Sequence, residues 1–263
     1  MLYGNYQHRD RRIDYAFHLI EDQIHQTKNW LKLSREVSSF TYDITEESLR
    51  SMIGVAASTC SVSINEAQYY FEEIINNTEF MQKVSAANRT CKFSGELDEV
   101  VRPGRKLLLY ALMRIKKPKN VIEAGPYRGY GSVFLIEALR KNAEEGAYGA
   151  LFCVDILDTF NGDIVDACGY QSFREVCIGD AVEFIEKFNN EIDVFISETH
   201  YAGGYEKQLR AINGKLSKNS VIYMTSFDDA LYNYSKYNNR NYLSFYTKSK
   251  DHVYPGQFSC ISY

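Results

Sequence analysis

The chain has 263 residues, of which 45% are hydrophobic and 24% charged, the composition of an ordinary globular protein. Its 30 basic and 34 acidic residues give a formal net charge of −4, so no strongly basic surface for nucleic acid is expected. No apolar run reaches the roughly 18 residues that a membrane-spanning helix needs, and the first residues lack the apolar core of a signal peptide.

The first third of the chain is predicted to be helical. Apolar residues recur at helical spacing in IDYAFHLIEDQIHQTKNWLKL, which begins at Ile13. Thr45 is expected to cap a second helix, and NEAQYYFEEIINN predicts a third. Strand signals are scarce here, so we expect residues 1–96 to form a helical extension and residues 97–263 to form the main domain. Such an extension can close over a ligand or serve as a dimerisation element, and the sequence favours neither.

After a helix that follows Gly104, strands and helices alternate, which is the signature of a parallel sheet. The predicted strands, in chain order, are NVIEAG, ALFCVDI, REVCIG, IDVFIS, SVIYMTS, YLSFYTKS and QFSCISY. The last two are predicted to pair as an antiparallel hairpin. The expected fold is therefore α/β, with a Rossmann-like, seven-stranded, mostly parallel sheet, a C-terminal antiparallel hairpin and an N-terminal helical extension.

A glycine-rich turn follows the first predicted strand, Asn120–Gly125. The sequence from Glu123 to Ser132 reads EAGPYRGYGS. A strand that leads through glycines into a helix N-terminus is typical of a nucleotide-cofactor site, because glycine lets the backbone approach a ligand closely and adopt positive φ. The alternative is a tight turn without a ligand, which the surrounding strand and helix disfavour.

The glycine spacing alone does not distinguish NAD(P) from S-adenosylmethionine. Glu123 favours S-adenosylmethionine, because a carboxylate attracts its sulfonium and ammonium groups and offers nothing to a pyrophosphate. Asp155 ends the second strand, where a carboxylate can accept both ribose hydroxyls of either cofactor. Asp180 follows the third strand and can accept a hydrogen bond from the adenine amino group, cap the next helix, or do both.

The segment from about Arg102 to Ser226 resembles class I S-adenosylmethionine-dependent methyltransferases, most of all their small-molecule O-methyltransferase branch. The resemblance rests on VIEAGPYRGYGS, on the acid after ALFCV, on IGDAVEFI and on IDVFISETH. It implies a methyltransferase that uses S-adenosylmethionine and methylates a small molecule, with a hydroxyl of a sugar or secondary metabolite as the expected acceptor. By matching position, the resemblance assigns the cofactor to Glu123, Gly125, Tyr127, Gly129, Gly131, Ser132, Asp155, Ile156, Asp180 and Ala181.

The chain departs from this family where related enzymes carry acidic pairs. After the fourth strand it reads SETHY, at residues 197–201, and after the fifth strand a Thr-Ser pair replaces the usual acids. A hard divalent cation needs several oxygen ligands, carboxylates among them. We therefore expect no metal, although Glu198 with Asp228 or Asp229 would leave a metal site conceivable.

Without a metal, His200 is the first candidate for a catalytic base. Its side chain titrates near neutral pH, and it follows the carboxyl end of a strand. The transfer itself is an in-line displacement helped chiefly by positioning. A histidine held structurally by a backbone carbonyl is the equally weighted alternative. Glu198 and Tyr201 are the next candidates.

Two other functions stay open at this level. Tyr232 and Lys236 have the YxxxK spacing of short-chain dehydrogenases, which are NAD(P) oxidoreductases, and would share one face of a helix. The position of this motif after the fifth strand is unlike that family. The other possibility is a non-catalytic homologue that keeps the cofactor pocket.

The expected partners follow from the same observations. We expect a small-molecule substrate, no nucleic acid and no membrane, with a homodimer as one option for the helical extension. The six cysteines include no CxxC pair, which argues against a structural zinc site and fits the reducing cytoplasm.

Overall fold

A computed structural model of the chain describes residues 9–36, 41–199, 204–225, 229–250, 252–254 and 256–263. The helices are α1 Arg9–Leu33, α2 Glu46–Cys60, α3 Ile64–Ile75, α4 Thr78–Thr90, α5 Lys106–Lys116, α6 Tyr130–Glu144, α7 Ile164–Ala167, α8 Ala181–Lys187, α9 Gly204–Ile212 and α10 Asp229–Tyr237. The strands are β1 Asp43–Ile44, β2 Asn120–Ala124, β3 Ala150–Asp155, β4 Arg174–Ile178, β5 Ile192–Ser197, β6 Leu216–Met224, β7 Tyr242–Lys250 and β8 Gly256–Ser262.

The strands form one sheet in the order β1-β7-β8-β6-β5-β2-β3-β4. The strands from β6 to β4 in this order are parallel, whereas β8 is antiparallel to both β6 and β7. The predicted Rossmann-like sheet and its C-terminal hairpin are therefore confirmed. The eighth strand, β1, was not predicted. It pairs with the edge of β7 and is only two residues long, too short to show an alternating pattern.

The strand order places a crevice at one edge of the sheet. The chain runs outward from β2 through β3 to β4, and then returns to β5 on the opposite side of β2. Loops that leave neighbouring strands in opposite directions open a gap between them. Open α/β sheets bind ligands at this switch point, outside the carboxyl ends of the strands.

Helices α2 to α6 pack into a single hydrophobic core with one face of the sheet. Thr45 caps α2, because its side chain accepts a hydrogen bond from the backbone N–H of Ser48, as predicted. A second core covers the other face, where α8, α9 and α10 pack. The division at residue 96 stays a prediction, although helices on both sides of it contribute to the same core.

Helix α1 is different, because its apolar residues are exposed. They include Ile13, Phe17, Ile20, Ile24 and Leu31. Near the end of the helix the ring of Trp30 lies 5.7 Å from that of His252. No helix within the described ranges is long and apolar enough to cross a membrane.

Candidate active site

A cavity of about 600 Å³ opens at the carboxyl edge of the sheet, within the size range of small-ligand sites. Its wall comes from the turn after β2, the residues that follow β3, β4 and β5, the start of α5, and the β7–β8 hairpin. The cavity therefore occupies the switch point at which the topology predicts a ligand.

The turn after β2 depends on its glycines. Gly125 and Gly129 have φ angles of +79° and +76°, in the left-handed region that favours glycine. A Cβ on Gly125 would lie 3.1 Å from Thr199 Cγ2, and one on Gly129 would lie 2.8 Å from Asp163 Oδ2. Glycine thus allows the turn to pack tightly against both the end of β5 and the start of α7.

Asp155 presents its carboxylate to the cavity at the end of β3. The backbone N–H of Tyr127 donates to its Oδ2 at 3.1 Å, and that of Leu157 donates to its Oδ1 at 3.0 Å. Two backbone donors fix the orientation of the carboxylate and leave lone pairs on both oxygens. This geometry suits a diol such as that of a ribose. Ile156, the next residue, also lines the cavity.

Asp180 lines the cavity after β4 together with Ala181. Its Oδ1 accepts hydrogen bonds from the backbone N–H groups of Val182 at 2.7 Å and Glu183 at 3.3 Å, so Asp180 caps α8 as predicted. The other carboxylate oxygen accepts no hydrogen bond from a described residue and remains available to a ligand. Capping and ligand binding are therefore compatible here.

Glu123 lies beneath the turn and not in the cavity wall. Its side chain is only 1% exposed, and the Ser132 hydroxyl donates to Glu123 Oε2 at 2.5 Å. Burial raises the pKa of Glu123 to about 7, and the charge of Glu198 adds to that shift. Direct contact of this carboxylate with a cofactor cation, the expectation from sequence, is contradicted by its position. Glu123 and Ser132 instead support the turn from behind.

The structure brings most of the predicted cofactor residues together. Those that line the cavity are Gly125, Tyr127, Gly131, Asp155, Ile156, Asp180 and Ala181. The three that do not are Glu123, Gly129 and Ser132. They belong to the strand-turn-helix pattern, but the side chains of Glu123 and Ser132 are buried in the protein interior, and Gly129 packs against Asp163.

An ion pair lies beside the end of β5. Arg105 Nη2 is 3.5 Å from Glu198 Oε2, and Arg105 also donates to Gln257 Oε1 in the hairpin. Burial opposes the charge on Arg105, but Glu198 and nearby tyrosines raise the pKa of the guanidinium. Sequence reasoning missed Arg105 and Gln257, because Arg105 precedes α5, Gln257 lies in β8, and neither belongs to a local motif.

The donor set at the end of β5 does not fit a divalent cation. The Ser197 hydroxyl donates to Gln208 Oε1 at 2.6 Å, and the Gln208 amide donates to Thr199 Oγ1 at 3.2 Å. Neutral groups thus fill the space where carboxylates would be needed, and Glu198 faces a guanidinium. Within the described ranges, no group of three or more His, Cys, Asp or Glu residues could hold a metal ion.

Several residues named from sequence cannot be placed. His200, Tyr201 and Asp228 lie outside the described residues. Tyr232 and Lys236 are both on α10, and neither is part of the cavity wall. Although their spacing matches that of the short-chain dehydrogenase pair, Tyr232 and Lys236 do not lie beside the cavity, where a catalytic pair would be needed.

Comparison with known proteins agrees with this geometry. Residues 122–229 match a family model described as "Methyltransferase domain". No curated protein gives a significant match.

Solved structures share the fold at low sequence identity. The O-methyltransferase TomG from Streptomyces achromogenes, involved in tomaymycin synthesis and solved with SAM, has a TM-score of 0.52 and 15% identity, covering 74% of this chain and 93% of that chain. A putative O-methyltransferase from Klebsiella pneumoniae has a TM-score of 0.53 and 13% identity, covering 74% and 94%. An O-methyltransferase from Bacillus cereus, solved with SAH, has a TM-score of 0.51 and 14% identity, covering 74% and 94%. Residues 122–229 thus match a methyltransferase domain model, and the chain shares the Rossmann-like fold of these O-methyltransferases.

Proposed function

We propose that this chain transfers the methyl group of S-adenosylmethionine to a hydroxyl of a small molecule, without a metal ion. One observation carries the proposal, which is the order of groups along the cavity. In sheet order β4, β3, β2 and β5, the wall presents Asp180, then Asp155, then the glycine turn, then Glu198. Adenine, ribose and methionine follow one another in the same order along the cofactor.

This alignment assigns a task to each part of the wall. Asp180 and Ala181 would hold the adenine, Asp155 would accept hydrogen bonds from the ribose hydroxyls, and the turn would surround the methionine part. The sulfonium methyl group would then face the end of β5, where the acceptor hydroxyl must be positioned in line. Glu198, engaged with Arg105, is placed to orient that hydroxyl. His200 remains the first candidate for the base, with Tyr201 and Glu198 after it.

Binding measurements test the cofactor. By calorimetry we expect the chain to bind S-adenosylhomocysteine and not NADPH. Asp155→Asn should lower the affinity for S-adenosylhomocysteine about tenfold to a hundredfold, because the ribose hydroxyls would lose their hydrogen bonds to a charged carboxylate. The control is Asp158→Asn, an exposed acid on the same loop, which should leave the affinity unchanged. Binding of NADPH without S-adenosylhomocysteine would reject the proposal in favour of an oxidoreductase.

Turnover tests the metal-free assignment. With labelled S-adenosylmethionine and a panel of small hydroxyl compounds, methyl transfer should continue in excess chelator. His200→Ala should lower the rate of methyl transfer without lowering the affinity for S-adenosylhomocysteine. Loss of activity with chelator and its recovery with magnesium would overturn the metal-free part. Tight cofactor binding without transfer to any acceptor, unaffected by His200→Ala, would instead indicate the non-catalytic homologue.

The exposed apolar residues of α1 support a second copy of the chain as a partner. Ile13, Phe17, Ile20, Ile24 and Leu31 follow one another at spacings of four, three, four and seven, and all are exposed. This is the a/d pattern of a helix that packs along another helix. We propose that α1 pairs with α1 of a second molecule, which would remove this apolar stripe from water.

Light scattering tests the homodimer. Phe17→Glu with Ile24→Glu places charges in the stripe and should convert a dimer into a monomer. The matched control is His18→Glu with His25→Glu, which has the same spacing on a neighbouring face of the helix and should leave the dimer intact. A monomeric parent chain, or a dimer that survives the first pair of substitutions, would refute this interface.

We also propose a cytoplasmic location. All six cysteines are free, as a reducing compartment would keep them. The formal net charge of −4 supports the expectation that nucleic acid is not a partner.

A further inference from the structure

Lys106 is a buried cation that opens on the cavity. It is the first residue of α5, is 6% exposed, and belongs to the cavity wall. Its ammonium group neither donates a hydrogen bond to a described residue nor lies within ion-pair distance of a described carboxylate. The two other cations in the wall are both paired, Arg105 with Glu198 and Arg128 with Glu96.

The side chain of Lys106 reaches the glycine turn. A Cβ on Gly131 would lie 3.9 Å from Lys106 Cε and 3.0 Å from Glu123 Oε1. Gly131 also lines the cavity, at the start of α6, so a ligand group at this part of the wall would lie beside Lys106. Helix N-termini favour negative charge, so both the helix and the ammonium group would attract an anion there.

The proposed orientation of the cofactor brings one specific anion to this point. With adenine over β4 and ribose over β3, the methionine part lies over the turn after β2. Its α-carboxylate is the one anionic group of S-adenosylmethionine. A carboxylate removed from water needs a charged or hydrogen-bonding partner.

We propose that Lys106 binds the α-carboxylate of the cofactor's methionine part, and that the site thereby discriminates against a cofactor without this group. The inference rests on the proposed function and adds a specificity-determining residue to it. The other described cations in the cavity wall, Arg105 and Arg128, already pair with carboxylates. The remaining charged side chains described in the wall are themselves carboxylates. Among the described side chains of the wall, Lys106 is therefore the one best suited to bind the α-carboxylate.

The surroundings of Lys106 are consistent with a cation that awaits a partner. Burial and the neighbouring Arg105 lower the pKa of Lys106 to about 8, while Glu198, Glu123 and Glu36 oppose that shift. Lys106 is therefore mostly protonated at pH 7. An unpaired buried ammonium group is costly, and a bound carboxylate would remove that cost.

Two ligands that differ only in the carboxylate provide the test. S-adenosylmethionine and decarboxylated S-adenosylmethionine are titrated into the full chain by calorimetry. The parent protein should bind the carboxylated ligand about tenfold to a hundredfold more tightly, the size expected when one partner of a buried charge pair is removed. Equal affinities for the two ligands would overturn the inference without any variant.

Variants of Lys106 separate binding from a merely structural role. Lys106→Met should lower the affinity for S-adenosylmethionine and change the affinity for the decarboxylated ligand by no more than about twofold, so the preference is lost. Lys106→Arg, which keeps the positive charge, should retain most of the preference. The matched control, Lys116→Met at the other end of α5, should behave as the parent. Equal weakening of both ligands by Lys106→Met would assign Lys106 a structural role and reject the inference. If the parent binds neither ligand, the proposed function fails as well, which distinguishes the two failures.

Discussion

Glu123 shows how a charged residue of the strand-turn motif can act through the stability of the turn. Its carboxyl group is buried between the turn, Ser132 and Cys153. The same burial that removes it from the cavity raises its pKa to about 7. A cavity-facing acid, Asp155, is held by backbone N–H groups and lines the cavity proposed to bind the cofactor. Two acids at the ends of neighbouring strands therefore lie in different environments.

The raised pKa predicts how Glu123 affects stability. In the folded chain Glu123 keeps its proton to about pH 7, whereas in the unfolded chain it loses the proton near its ordinary pKa of about 4.3. Its favourable contribution is complete below the unfolded pKa and is lost as pH rises toward and through about 7. Glu123→Gln, which cannot ionise, should therefore gain stability relative to the parent as pH rises from about 4.3 to about 7.

Urea denaturation at several pH values measures this difference. The control is Glu175→Gln on β4, where the side chain is exposed and the substitution should change the free energy of unfolding at pH 7 by no more than about 0.5 kcal/mol. If the free energies of unfolding of the parent and of Glu123→Gln change in parallel with pH, the pKa of Glu123 is not raised by its burial.

At the scale of elements, a buried arginine joins the N-terminal helices to the sheet-bearing part. Arg114 on α5 is 2% exposed. Its Nε donates to Glu73 Oε1 of α3 at 2.8 Å, and its guanidinium also donates to Asn142 on α6 and to Glu145 just after it. Burial alone would raise the pKa of Glu73, but the hydrogen bonds from Arg114 and Tyr110 outweigh it and lower that pKa.

Removal of this arginine should be strongly destabilising. Arg114→Met leaves the Glu73 carboxylate without its main partner and should lower the free energy of unfolding by about 3–5 kcal/mol at pH 7. Because the folded pKa of Glu73 is lowered, the loss should shrink as pH falls through that lowered pKa, where the carboxylate takes up a proton. Thermal and urea denaturation measure both effects.

An exposed ion pair provides the comparison. Arg50 and Glu46 pair on the surface of α2 at 3.1 Å, so Arg50→Met should cost no more than about 0.5 kcal/mol. Equal costs for the two substitutions would show that the Arg114 cluster adds nothing beyond a surface contact.

For the whole molecule, the N-terminal helices α2 to α4 and the sheet share one hydrophobic core. Helices α2 to α4 contribute Met52, Phe71 and Val84 to the core that α5, α6 and the sheet complete. Helix α1 contributes no residue to either core. The cavity also joins distant segments, because its wall includes Leu97, Lys106 and Gln257.

Truncation tests the predicted division at residue 96. A chain of residues 34–263 should fold with a single cooperative transition and lose the proposed dimer, because it lacks α1 but keeps the helices and strands that form the two cores. A chain of residues 97–263 should fail to fold, since it would expose the apolar side of α5 and α6 to water. Circular dichroism and thermal melting distinguish the two. Cooperative folding of residues 97–263 would instead support an independent domain at the boundary predicted from sequence.

The sequence by itself determined the alternation of strands and helices that predicts a mostly parallel sheet, the glycine turn, and the acids that follow β3 and β4. These features are local, because a strand, its turn and the next helix are contiguous and their periodicity and glycines can be read directly. Only the tertiary structure decided which way each side chain faces. It buried Glu123 beneath the turn, paired Arg105 before α5 with Glu198 after β5, and brought Lys106 to Gly131. Such contacts join segments far apart in the chain, so packing of the core selects them and no local pattern encodes them.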